Sequence, residues 1–113
     1  MIFPRVRAIP AGTLLPPNYE VDGITSTRDE SAALSYLIPN KRGGKPSKKN
    51  IPEAEWELAY EHLISAEEFS RVWFETNIPC SKNGGCNFRV IGEVFVLLNI
   101  AQKIGALYAS RKA

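Results

Sequence analysis

Apolar positions are irregular in the first third of the chain and strongly patterned in the rest. Residues 6–9, between Pro4 and Pro10, predict a short strand. Pro16 and Pro17 mark a turn or an extended arm. Residues 19–24 alternate weakly and predict a second strand that ends near Gly23. Thr27 and Glu30 have the spacing of a capping box, in which a hydroxyl and a carboxylate each satisfy one free amide. A helix over residues 28–37 follows, carrying Ala33, Leu34 and Leu37 inward and stopped by Pro39.

The second half has clearer signals. Asn50 is a suitable N-cap, with Pro52 and Glu53 in the first turn. Trp56, Ala59, Tyr60 and Leu63 recur at helical spacing up to residue 64. Ser65 and Glu68 form a second capping box, and Phe69, Val72, Trp73 and Thr76 continue as a stripe stopped by Asn77 and Pro79. A loop over residues 80–86 centres on Asn83-Gly84-Gly85. Asn87 then caps a helix over residues 88–103 that Gly105 ends. That helix is apolar around most of its circumference, which suits the central helix of a domain, and Gly92 leaves room for a close backbone approach. Residues 106–109 form a short closing strand or a fraying continuation of the helix.

These elements predict an α+β fold with short N-terminal strands packed on a bundle of three or four helices. The length of 113 residues predicts one small globular domain, and 44% hydrophobic content is enough for a core. The closing order of helix, helix, helix and short strand predicts a winged-helix-like C-terminal half. Two features oppose it. The connection from Asn77 to Cys86 is long for such a turn, and the outer line of the last helix (Arg89, Glu93, Val96, Ile100, Lys103) has few groups that read bases.

The net charge of +2 conceals an uneven layout. Residues 1–39 carry −1, residues 40–50 carry +5 without an acid, residues 51–79 carry −6 and residues 80–113 carry +4. The +5 stretch, NKRGGKPSKKN, has no apolar residue and predicts a flexible solvated loop. Each of Lys41, Arg42, Lys45, Lys48 and Lys49 that meets a phosphate displaces a condensed counterion, so such a loop binds nucleic acid in a salt-sensitive way. Lys41-Arg42-Gly43-Gly44-Lys45-Pro46 resembles an AT-hook, with one extra glycine and a lysine in place of the second arginine. The resemblance covers six residues and implies contact in the minor groove. Lys82, with the glycines at 84 and 85, and Arg89 add charge near the start of the last helix, where free amides attract anions. The order departs from a phosphate-binding Gly-Lys-Ser loop.

Catalytic and metal chemistry have little to draw on. His62 is the only histidine, and Cys80 and Cys86 are too far apart for a standard zinc pair and lack an evident fourth ligand. Cys86 at a helix start can have a lowered pKa, yet no base is positioned beside it. No cofactor or metal is expected, and the reading leans away from an enzyme. The N-terminus lacks a signal pattern, and no segment reaches the roughly 18 apolar residues that span a bilayer, which predicts a cytoplasmic chain with reduced cysteines.

Trp56, Tyr60, Phe69, Trp73 and Phe74 form an expected aromatic core. Trp73 and Phe74 are adjacent and point about 100° apart, so one of them can face solvent. The leading functional expectation is a small nucleic-acid-binding accessory protein, contacting DNA or RNA phosphates through Lys41, Arg42, Lys45, Lys48 and Lys49, assisted by Lys82 and Arg89. A self-associating interaction module is the alternative, burying Val96, Ile100, Trp73 and Phe74 against a second copy. A small-ligand-binding domain is the third.

Overall fold

The structure, a computed structural model, describes residues 1–40, 42–78 and 86–111. It is an α+β fold in which the described residues form four helices and two antiparallel sheets. The chain divides into two compact units, Met1–Ala54 and Glu55–Ala113.

The first unit opens with helix α1 (Phe3–Arg7), where a strand was expected over residues 6–9. Pro4 sits in the first turn, where its fixed φ suits a helix and its missing N–H costs nothing. Phe3 and Val6 lie three residues apart on one face and are buried, and the Arg7 guanidinium lies 5.5 Å from the centre of the Phe3 ring. A four-stranded sheet follows in the order β1 (Leu14–Leu15), β2 (Tyr19–Ser26), β3 (Ala32–Ile38), β4 (Ser47–Pro52). Pro16 and Pro17, joined by a cis bond, make the turn from β1 to β2.

Strand β3 corrects the helix expected over residues 28–37. Thr27 does cap a backbone amide, but its hydroxyl accepts from Ser31 N (3.2 Å) and closes a hairpin turn instead of starting a helix. Glu30 adopts a left-handed φ of 63° in that turn, which a helix would not allow. Ala33, Leu34, Ser35 and Tyr36 are buried in succession, as in a strand covered on both faces. A bulge at Val21/Gly23 leaves Asp22 outside the pairing register, and Gly23 supplies the positive φ of 133°. Strand β4 shortens the expected loop. Its residues 47–52 pair with residues 38–33 of β3, so residues 39–46 separate the two strands.

The second unit holds most of helix α2 (Glu53–Ala66), then β5 (Glu68–Phe69), α3 (Arg71–Asn77), α4 (Cys86–Leu97), β6 (Ala101–Ile104) and β7 (Leu107–Ser110). Helix α2 starts after Pro52, and Asn50, expected as its cap, lies in β4 opposite Ser35. Ser65 remains inside α2. The cap of α3 is Ser70, whose Oγ accepts from Trp73 N (3.2 Å). Between them Glu67 takes a left-handed φ of 62°, and the chain enters β5 to pair with β7. Strand β7 lies between β5 and β6.

Phe69 is the hub of this unit's core, with Trp73, Phe74, Phe88, Phe95 and Tyr108 ring centres 4.9–6.4 Å away. Helix α4 stops at Leu97, short of the expected residue 103. Asn99 takes a left-handed φ of 68°, and Leu98 N and Ile100 N donate to Val94 O and Phe95 O (2.8 and 3.0 Å). Asparagine thus does the work usually given to glycine at a helix end, and Arg111 Nη1 donates to its side chain at 2.7 Å. Residues 101–103, expected at the end of that helix, lie instead in β6, which pairs with β7 as a hairpin.

Candidate functional site

Two groups of basic residues result from this folding, one in each unit. In the first unit, between β3 and β4, Arg42 N donates to Asn40 Oδ1 (3.0 Å) and Gly43 N to Asn40 O (3.1 Å). Arg42 and Lys45 stand in solvent on this loop. Lys48 and Lys49 are adjacent on β4, opposite Leu37 and Tyr36, and so face opposite sides of the sheet. Lys48 Nζ meets the bulged Asp22 at 3.1 Å. That lysine and, more weakly, Ser35 hold the Asp22 carboxyl below its ordinary range. Part of the Lys48 charge is therefore already engaged. Lys41 and Lys82 lie outside the described residues.

In the second unit Arg71, Phe88, Arg89, Lys103, Gly105, Ala106 and Tyr108 enclose a cavity of about 180 Å³. Its three cations come from three elements: the first residue of α3, the first turn of α4 and the middle of β6. The Arg71 guanidinium lies 5.1 Å from the centre of the Phe88 ring. Arg71 Nη1 approaches Glu75 Oε1 at 3.7 Å, and Arg89 Nε approaches Glu93 Oε2 at 3.9 Å. Both separations are longer than a hydrogen bond, so each arginine keeps donors to offer. Arg89 Nε is shielded from solvent and has no hydrogen-bond acceptor among the described residues. Behind it, the Tyr108 hydroxyl donates to Glu93 Oε2 at 2.8 Å. Burial, and then this bond, push the Tyr108 phenol far above its ordinary pKa, so it remains a donor to Glu93.

The residues expected at an interface are dispersed. Phe74 is fully buried between Phe69 and Phe88, while Trp73 is partly exposed and stacks on His62 at 3.9 Å with the rings 8° apart. Val96 is half-buried near the end of α4, and Ile100, also half-buried, lies beyond that helix. Helix α4 is buried at Asn87, Phe88 and residues 90–95, leaving Arg89 as its partly exposed cation. Among the described residues no helix is long and apolar enough to cross a membrane, and no three His, Cys, Asp or Glu side chains gather as a metal site.

Arg71, Lys103 and Tyr108 were not expected at a site. Their only sequence signal was Glu93, a carboxylate inside an apolar helix that has to find a buried donor. No protein family, curated protein or solved structure matches the chain.

Proposed function

We propose that this chain is a nucleic-acid-binding accessory protein whose second unit is a winged helix that grips phosphates without reading bases. The observation that carries the reading is connectivity. The order helix, strand, helix, helix, strand, strand, with β7 between β5 and β6 so that the strand after the first helix joins the closing hairpin, supports a winged-helix reading. A base-reading third helix needs a polar exposed line, and α4 is buried along nearly all its length. Phosphate contacts therefore fall to Arg71, Arg89 and Lys103 in this unit, and to Arg42, Lys45, Lys49 and the undescribed Lys41 in the other. Lys48 contributes less, because Asp22 competes for it.

Fluorescence anisotropy with labelled duplex and single-stranded DNA and RNA, across a salt series, tests the reading. Wild-type affinity is expected to fall linearly with salt on logarithmic axes, with about 0.9 of slope for each duplex phosphate contacted. Changing Lys41, Arg42, Lys45, Lys48 and Lys49 to Gln is expected to flatten that slope and weaken binding to all sequences alike. Absence of binding to every probe at low salt would sink the proposal.

A further inference from the structure

We infer that the cavity bounded by Arg71, Arg89 and Lys103 binds a terminal phosphate, a phosphate monoester dianion. This goes beyond the reading above, which concerns singly charged phosphates inside a strand. Three observations carry it. First, three cations from α3, α4 and β6 line one cavity; Glu75 and Glu93 stand beside the two arginines at 3.7 and 3.9 Å, but among the described residues no carboxylate is part of the lining. Second, Arg89 Nε is a shielded donor without an acceptor among the described residues, because Glu93 Oε2 stands at 3.9 Å and receives the Tyr108 hydroxyl at 2.8 Å. A ligand oxygen that draws the guanidinium forward satisfies donors that Glu93 leaves open. Third, the volume of about 180 Å³ matches roughly six waters. That holds a phosphate and its ester oxygen but not a nucleobase as well.

Charge selects the monoester. A terminal phosphate carries close to two negative charges above its second pKa of about 6, and a phosphodiester carries one. Three cations in a partly enclosed site favour the dianion, and Phe88 and Tyr108 give the pocket rigid walls. The dianion has two sources, the end of a nucleic acid strand and a free phosphate ester.

The test uses the full chain. Anisotropy competition compares a 5′-phosphorylated oligonucleotide with its 5′-hydroxyl twin, and side-chain Nε–Hε resonances of arginine are followed by NMR as inorganic phosphate is added. The phosphorylated end is expected to compete about tenfold better. Arg71→Gln/Lys103→Gln is expected to remove that preference. Both residues are exposed, so this variant spares the core, and Arg89 stays beside Glu93. Inorganic phosphate is expected to shift the Arg71 and Arg89 resonances in the wild type. If these shift while the two oligonucleotide ends compete equally, the free ester is the source. The inference is overturned if the resonances stay still and the ends compete equally. Binding of the 5′-hydroxyl oligonucleotide is scored separately, so nucleic-acid binding can survive the loss of the pocket, and the pocket can survive the loss of nucleic-acid binding.

Discussion

At Gly92 two physical effects oppose each other. Alanine in place of a mid-helix glycine normally gains about 1 kcal/mol of helix propensity. Here a Cβ would run into the Tyr108 ring at Cε2, Cζ and Cδ2. That ring is 1% exposed and its hydroxyl is bonded to Glu93, so it cannot swing away. Overpacking of this kind costs about 1–3 kcal/mol, occasionally more, and should prevail. Gly92→Ala is expected to lower the urea midpoint with an unchanged m-value. The sequence suggested that Gly92 admits a backbone, but it is an aromatic ring that comes close. His62 supplies a second residue-scale prediction. Burial against Trp73 lowers its pKa from 6.5, with Glu68 opposing. The folded state thus favours the neutral imidazole. The resulting stability is present above the unfolded pKa near 6.5 and is lost as the pH falls through the lower folded value. The urea midpoint should therefore decline from pH 7 to pH 5, and His62→Phe, which keeps a ring on Trp73, should flatten that decline.

Among the elements, those with long-range periodicity were the most legible. Trp56, Ala59 and Leu63 announced α2, and all three are buried. Residues 19–24 announced β2. Errors arose where two structures share one local signal. Ala33, Leu34 and Leu37 fit the inner face of a helix, and equally a strand covered on both sides, and in a run this short periodicity does not separate the two. A threonine followed by a glutamate three residues later can open a helix or close a hairpin, and pairing with β2 and β4 decided for the hairpin. Helix α4 ends earlier than its apolar pattern suggests because Asn99, not a glycine, takes the left-handed conformation at its end. The basic stretch was only partly legible: its composition puts residues 42–46 in solvent, but nothing local announced that residues 47–50 pair with β3. The cavity was not legible, because Arg71, Arg89 and Lys103 are far apart in sequence and only the pairing of β5, β6 and β7 brings their elements together.

Across the whole molecule the charge divides unequally between the units. Met1–Ala54 carries eight basic residues against five acids, and Glu55–Ala113 six against seven. Under the proposed function, long-range attraction to a polyanion would belong to the first unit, and the second would contribute a local cluster within an otherwise acidic stretch. The sheet of the first unit adds a constraint on those same charges. Its two outer strands are β1, only two residues long beside Pro16 and Pro17, and β4, which carries Lys48 and Lys49 and ends at Pro52. Short strands, prolines and lysines are the means by which sheet edges avoid pairing with other chains. With Lys48 and Lys49 both changed to valine, light scattering on concentration or warming is expected to rise well above that of the wild type. On this argument the lysines of β4 keep the sheet edge from pairing with other chains whether or not a phosphate is ever bound, and selection would hold them there for that reason alone.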